Sequence, residues 1–148
     1  MKKLEIKVCA RQEAEQLEFA PDEACISVYS AGDEPAILLI DDENCLRLNF
    51  DDTDWIHSDP PGPGEPPRMR FTSRQAGEIL NFVDGRIKAG ILRFVVHCDG
   101  GISRSPGIAV ALKEIYNKDL TVVPAHSRYS PTVRETLLTE AKKRPDII

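Results

Sequence analysis

The chain has 148 residues and a net charge of −5, with 41% hydrophobic and 29% charged residues. This length suits a single domain with a buried core, and we treat residues 1–148 as one domain. The negative charge argues against nucleic acid as a partner. No apolar run is long enough to cross a membrane, and residues 1–7 lack the apolar core of a secretion signal.

The first third of the chain predicts several short strands and one helix. Alternating apolar and polar residues predict strands at 4–8 and 45–50, and β-forming residues predict another at 24–29. Helix-forming residues predict a short helix at 11–17. The continuous apolar run at 36–40 predicts a further short strand or the extension of one.

Three aspartates follow the strand predicted at 45–50: Asp51, Asp52 and Asp54. Loops at the carboxyl ends of parallel strands collect at one edge of the sheet, where the active sites of α/β proteins lie. A carboxylic acid at this edge can protonate a leaving group and then activate water. The ordinary alternative is a solvated acidic turn.

Residues 58–68 form a low-complexity segment with five prolines and two glycines in eleven residues. This composition cannot form a helix or an interior strand. We expect a surface loop that joins the acidic cluster to the next helix, and we favour an ordinary loop over a flap that gates a substrate.

A capping box predicts where the next helix begins, because Thr72 is followed three residues later by Gln75. Apolar residues at helical spacing continue to residue 87. Gly90 is suited to the C-terminal cap of this helix, which we therefore expect to end at 88–90.

Residues 93–112 combine a short apolar strand, a loop with two adjacent glycines and the start of a helix expected at 105–116. Several backbone N–H groups converge in a loop of this kind, and the helix dipole adds positive potential, which makes an anion-binding site. Cys98 lies at the start of the loop and Arg104 at its end. The sequence therefore predicts a nucleophile inside an oxyanion site.

The residue types in this loop suit phosphoryl chemistry. A cysteine attacks only as a thiolate, and helix N-termini beside a cation lower cysteine pKa values from about 8.5 to about 3.5–7.5. The guanidinium of Arg104 can bind two oxygens of a phosphoryl group at once. Ser105 can donate a hydrogen bond to the sulfur. The alternative is a buried Cys98 and a surface arginine that share the spacing by chance.

The run His-Cys-Asp-Gly-Gly-Ile-Ser-Arg-Ser at 97–105 resembles the His-Cys-x5-Arg-Ser signature of the cysteine-dependent protein tyrosine phosphatases. Its Gly-Ile-Ser-Arg-Ser ending is most similar to the dual-specificity branch. The resemblance implies that Cys98 forms a phosphocysteine intermediate and that Arg104 binds the phosphate. It also implies that the Arg104 side chain and the backbone of the loop hold the phosphoryl oxygens, which makes a continuous run the binding set: Asp99, Gly100, Gly101, Ile102, Ser103 and Arg104.

The same resemblance selects a general acid. In the dual-specificity family the acid follows a strand of alternating apolar residues, and the run Leu-Asn-Phe-Asp-Asp at 48–52 places Asp52 in that position. Asp51 and Asp54 remain competitors, because one sequence does not fix the register. The aspartate at position 99 makes a highly phosphorylated inositol lipid a less favoured substrate, since lipid-directed relatives tend to carry lysines in the loop.

Two segments complete the chain. Residues 120–123 are too short to assign to an element. Ser130 and Pro131 predict the start of a last helix, which we expect to run to about residue 143.

The chain has four cysteines, which are Cys9, Cys25, Cys45 and Cys98. Because they lack Cys-x-x-Cys pairs, we expect no structural zinc site. We also expect that the protein uses no metal and no other cofactor. We expect an α/β fold with a mostly parallel sheet of four or five strands flanked by helices. The function expected is a monomeric phosphatase that acts on phosphorylated proteins or small phosphomonoesters. A reactive thiolate needs a reducing compartment, so we expect the cytoplasm.

Two other classes of function compete with this expectation. One is a catalytically weak or inactive module that binds phosphate groups without turnover. The other is a different enzyme with an activated cysteine in such a loop, such as an RNA 5′-phosphatase or a sulfurtransferase.

Overall fold

The computed structural model describes residues 3–54, 62–64, 67–118 and 128–145. In chain order the elements of these residues are β1 (Glu5–Ala10), α1 (Arg11–Ala14), β2 (Glu23–Tyr29), a 3₁₀ turn (Asp42–Asn44), β3 (Cys45–Asn49), α2 (Ser73–Lys88), β4 (Arg93–Cys98), α3 (Arg104–Asn117) and α4 (Pro131–Ala141). No helix in the described ranges is long and apolar enough to cross a membrane.

The four strands form one parallel sheet in the order β1-β4-β2-β3. The predicted α/β fold with a parallel sheet is therefore confirmed. Strand β4 lies between β1 and β2, so its carboxyl end is at the centre of the sheet edge. There Cys98 is paired with Ala10 of β1, while the preceding residue, His97, is paired with Ser27 of β2.

The two faces of the sheet are covered differently. Helices α2, α3 and α4 bury one face in the larger core, whose fully buried side chains include Ile26, Phe50, Ile79, Leu80, Phe94, Ile108, Leu112 and Leu137. The other face is covered by α1 and by the segment that follows β2, with a smaller cluster of Cys9, Ala14, Cys25, Ala36, Leu38 and Val95. Alternation along β4 sends Cys98 to the first face and His97 to the second.

The strand expected at 36–40 is wrong. This segment has no sheet pairing, and its residues alternate between the smaller core and solvent: Ala36 and Leu38 are buried, while Ile37 is 80% and Leu39 66% exposed. The apolar run predicted a strand because burial against the face of a sheet and burial within a sheet require the same residue types.

The predicted caps are confirmed, and two helix ends differ from expectation. Thr72 and Gln75 form the capping box of α2, and Gly90 follows the helix with φ of 90°. Helix α1 ends at Ala14 rather than at 17, because its last turn tightens into bonds between residues three apart. Helix α4 ends at Ala141, two residues before the expected end. Residues 120–123 and most of the Pro/Gly-rich segment 58–68 lie outside the described residues.

Candidate functional site

The loop between β4 and α3 rests on the end of β1. Arg11 donates its backbone N–H to the carbonyl of Asp99 at 3.1 Å. Gly101 has φ of 68°, and a Cβ there would lie 2.8 Å from the carbonyl carbon of Cys9 and 2.9 Å from the nitrogen of Ala10. No other residue fits this position without moving β1. Gly100, the other glycine of the predicted pair, has neither a positive φ nor such a contact.

The sulfur of Cys98 lies at the bottom of this loop and has two hydrogen-bond partners. The backbone N–H of Gly101 donates to it at 3.3 Å, and the hydroxyl of Ser105 is 3.1 Å away. The residue is only 2% exposed and is located before the N-terminus of α3. Hydrogen bonds and a helix N-terminus both stabilise negative charge on sulfur. The bond expected between Ser105 and the sulfur is thus present.

The guanidinium of Arg104 is fixed by three hydrogen bonds. Its Nη1 donates to the carbonyl of Phe50 at 2.8 Å and to the hydroxyl of Ser30 at 2.9 Å, and its Nη2 donates to Oδ2 of Asp99 at 3.2 Å. Within the described part of the chain no hydrogen bond uses Nε or the second hydrogen of Nη2. These two donors lie on one edge of the guanidinium and can bind two oxygens of one oxyanion.

The side chain of Asp99 belongs to this arrangement. Its Oδ2 accepts from the hydroxyl of Ser30 at 2.9 Å as well as from Arg104, with which it forms an ion pair. The sequence predicts that the backbone of Asp99 helps to hold the phosphate; its carboxylate, which that prediction left without a role, orients the arginine. Ser30 was missed by sequence reasoning. The one signal for it is its position just after β2, the neighbour of β4.

The three aspartates of the acidic cluster have three different surroundings. Asp52 reaches the loop, where the hydroxyl of Ser103 donates to its Oδ1 at 3.0 Å. The buried carboxylate of Asp51 instead accepts the backbone N–H groups of Ala31 at 3.1 Å and Met69 at 2.7 Å. Of the two, only Asp52 faces Cys98, because Asp51 is used to tie neighbouring loops together.

The side chain of Asp54 contacts the beginning of α4. Its carboxylate accepts hydrogen bonds from the hydroxyl of Ser130 and from the hydroxyl and backbone N–H of Thr132. Partial burial acts to raise the pKa of Asp54, but these hydrogen bonds outweigh it and leave the pKa below its ordinary value of 3.8. Asp54 is therefore a carboxylate bound to a helix N-terminus.

Cys98, Arg104 and Asp52 meet at a pocket of about 260 Å³, which is lined by Asp52, Cys98, Gly100, Ile102, Ser103, Arg104 and Arg128. Ile102 is 57% exposed at its rim. Arg128 was missed by sequence reasoning, since nothing in the pattern around it relates it to the loop. Among the described residues there is no group of three or more metal-binding side chains.

His97 orients the start of the loop from the second face of the sheet. It is fully buried, with Nε2 2.6 Å from the hydroxyl of Ser27 and Nδ1 3.3 Å from the carbonyl oxygen of Cys98. Burial lowers its pKa below the ordinary 6.5, against the opposing hydrogen bond to Cys98, so the ring is neutral at pH 7.

The other three cysteines lie away from the pocket, on the second face of the sheet. Burial is the main cause that raises the pKa of Cys9 to about 11. Cys25 and Cys45 are directly paired across β2 and β3. A hydrogen bond to Cys45, followed by burial, raises the pKa of Cys25, and the same bond lowers the pKa of Cys45. In a labelling experiment, Cys45 is therefore expected to compete with Cys98 more than Cys9 or Cys25 does.

Comparison with known proteins finds a solved structure of low similarity. No family model matches the chain, and no curated protein sequence matches it. A solved structure described as Tk-PTP in the active form is 21% identical to this chain, with a TM-score of 0.38. The alignment covers 97% of this chain and 82% of the other chain. A likeness at this level carries no argument about function, so the following proposal is based on the geometry of the pocket.

Proposed function

We propose that this protein is a cysteine-dependent phosphatase of the protein tyrosine phosphatase type that hydrolyses phosphate monoesters. The observation that supports it best is the meeting of three chemical groups in one pocket: the sulfur of Cys98, the guanidinium of Arg104 and the carboxyl group of Asp52. Together they supply a nucleophile, a bidentate oxyanion donor and a general acid.

The reaction proposed has two steps. In the first, the Cys98 thiolate attacks phosphorus, the P–O bond to the leaving group breaks, and Asp52 gives its proton to the departing oxygen. In the second, Asp52 takes a proton from water, which attacks the phosphocysteine and releases inorganic phosphate and the thiolate. The hydroxyl of Ser105, 3.1 Å from the sulfur, stabilises the thiolate as it leaves.

The transferred phosphoryl group is held by the loop. The free edge of Arg104 binds two of its equatorial oxygens, and the backbone N–H groups of residues 99–104 bind the oxygens from the other side. The substrates are phosphorylated side chains of proteins, of the tyrosine or dual-specificity class, or small phosphomonoesters. We further propose that the protein is a monomer that acts in the cytoplasm, uses no metal or other cofactor, and does not have nucleic acid as a partner.

Turnover of a substrate panel tests this proposal. We expect release of phosphate from p-nitrophenyl phosphate and from phosphopeptides. We expect no release of phosphate from 5′-phosphorylated RNA and no transfer of sulfur from thiosulfate. Cys98→Ser should abolish turnover while vanadate binding persists, because the serine hydroxyl fits the loop but is not ionised near neutral pH. Brief exposure to ³²P-labelled substrate and acid quench should trap label on Cys98.

The same experiment separates the other classes of function. Vanadate binding without any turnover would favour a phosphate-binding module. Turnover of RNA 5′-phosphate or thiosulfate with none of phosphopeptides would favour the other cysteine-loop enzymes. Label on any residue other than Cys98 would overturn the mechanism.

The role of Asp52 is tested by the leaving group. Asp52→Asn should cost about 10²-fold or more with phenyl or tyrosyl phosphate, in the range that general acids supply. The loss should shrink with p-nitrophenyl phosphate, whose oxygen departs without a proton. Asp51→Asn, which alters a carboxylate outside the pocket, should show no dependence on the leaving group.

A further inference from the structure

We propose that Asp54 is a positioning residue, which keeps the general acid over the pocket by fixing its loop to the start of α4. This inference rests on the proposed function. Asp54, a charged side chain two residues after Asp52, accepts three hydrogen bonds from another element. Three donors from Ser130 and Thr132 bind the Asp54 carboxylate, including the backbone N–H of Thr132 at 3.2 Å.

The start of α4 is also connected to Asp52 through Ser103. The backbone N–H of Ser130 donates to the carbonyl of Ser103 at 2.9 Å, and the hydroxyl of Ser103 donates to Asp52 at 3.0 Å. Three hydrogen bonds thus connect Asp52, Ser103, Ser130 and Asp54, and the backbone from Asp52 to Asp54 closes the ring, which we call the aspartate–serine ring. The acid is held directly by one serine and indirectly by the other.

The ring is anchored on the helix that carries the phosphate-binding arginine. Ser103 immediately precedes α3, and its carbonyl also accepts the N–H of Gly107 at 2.9 Å. A Cβ on Gly107 would lie 2.9 Å from the carbonyl oxygen of Ser130 and 3.2 Å from Cβ of Val133. The start of α4 is thus packed directly on the first turn of α3, and neither side of the contact can move alone.

The other side of the acid is fixed independently. Asp51 accepts two backbone N–H groups, from Ala31 and Met69, so the residue before Asp52 is held without any help from α4. Loss of Asp54 should therefore release only the part of the loop that follows the acid. The expected result is a misplaced proton donor in a folded protein whose Cys98 and Arg104 remain in position.

The test compares two variants of Asp54 on two substrates. Asp54→Asn keeps an oxygen that accepts from Ser130 and Thr132, whereas Asp54→Ala keeps none. We expect Asp54→Ala to lower kcat/KM on phenyl phosphate at least tenfold more than on p-nitrophenyl phosphate, and Asp54→Asn to stay within about threefold of the unmodified protein on both. Equal, leaving-group-dependent losses in both variants would make Asp54 the acid itself and overturn the proposal.

Two further variants distinguish positioning from general damage. Asp84 also accepts a hydroxyl hydrogen bond, from Tyr116 at 2.7 Å, outside the pocket. Asp84→Ala should lower thermal stability without changing the ratio of the two rates. Thr132→Val removes one hydroxyl donor and should shift the ratio in the same direction as Asp54→Ala does, but by a smaller factor.

In an Asp52→Asn background, Asp54→Ala should add no further change to the ratio, because it acts through Asp52. A further additive change would contradict the ring.

Amide hydrogen exchange at Ser130 gives a readout that does not depend on activity. Asp54→Ala should speed exchange of this amide at least tenfold, and Asp54→Asn should not. If the unmodified protein hydrolyses neither substrate, the proposed function fails while the exchange result still decides the ring. Unchanged exchange in Asp54→Ala would overturn the ring even in an active enzyme.

Discussion

Replacement of Arg104 by lysine keeps the positive charge but removes the planar fork. Three N–H groups of the guanidinium hold Phe50, Ser30 and Asp99, and the remaining edge offers two N–H groups to a phosphoryl group. A lysine ammonium is a single point of charge with three donors and cannot fill both tasks. It also leaves the buried carbonyl of Phe50 without its charged donor, which costs about 1.5–3 kcal/mol.

The expected loss follows from the oxygens that lose a partner in the transition state. Removal of one preorganised donor costs about 10²–10³-fold in kcat. We therefore expect Arg104→Lys to lower kcat/KM on p-nitrophenyl phosphate by at least that factor, close to the loss in Arg104→Ala, and to weaken vanadate binding. A lysine variant within tenfold of the unmodified protein, beside an inactive alanine variant, would refute the bidentate geometry.

Arg134 provides a matched control for this experiment. Its Nε and Nη2 bind the carboxylate of Glu114 at 2.8–3.1 Å, with the same guanidinium edge that Arg104 offers to phosphate. Arg134→Lys should leave turnover unchanged. A comparable loss of turnover in this variant would show that the effect reflects weakened folding and not phosphate binding.

Three further predictions concern the loop and its surroundings. Iodoacetate should label Cys98 faster than the other three cysteines, with vanadate protecting Cys98 alone; equal labelling by mass spectrometry, unaffected by vanadate, would contradict an activated thiolate. Gly101→Ala should abolish turnover and destabilise the fold in urea by more than the ~1–2 kcal/mol cost of a left-handed alanine, whereas Gly85→Ala in α2, where a Cβ meets nothing within 4 Å, should stabilise it by ~0.5–1 kcal/mol. Because the pKa of Asp54 lies below its ordinary 3.8 in the folded state, its charge stabilises the protein above that pH, and the advantage over Asp54→Asn in thermal melts should shrink as the pH falls through the lowered pKa; an advantage that grows as the pH falls would contradict this.

The features that could be predicted from the sequence are local along the chain. The loop at 97–105 joins the end of a strand to a helix N-terminus, so nearly all contacts of the sulfur come from within a few residues of Cys98. Helix caps are local for the same reason, and those at Thr72 and Ser130 were predicted correctly. Tertiary structure has little freedom to alter contacts of such short range.

The features that were missed depend on contacts between distant segments. Ser30 reaches Arg104 only because β2 and β4 are neighbours, and Arg128 reaches the pocket only because the start of α4 packs on α3. The placement of Asp52 depends on donors from other loops that occupy the competing aspartates. Side-chain type alone does not distinguish three nearby carboxylates, since their roles depend on the partners that folding brings to each.

The contact between Gly101 and the end of β1 connects the pocket to one edge of the sheet. Among the described residues, β1 is an edge strand that pairs with β4 alone. Edge strands open by local unfolding at a lower free energy than central ones. Each opening of β1 removes the surface on which the loop rests, while β4, α3 and α4 stay folded. We therefore expect heating to inactivate the protein reversibly at a temperature below its global melting point.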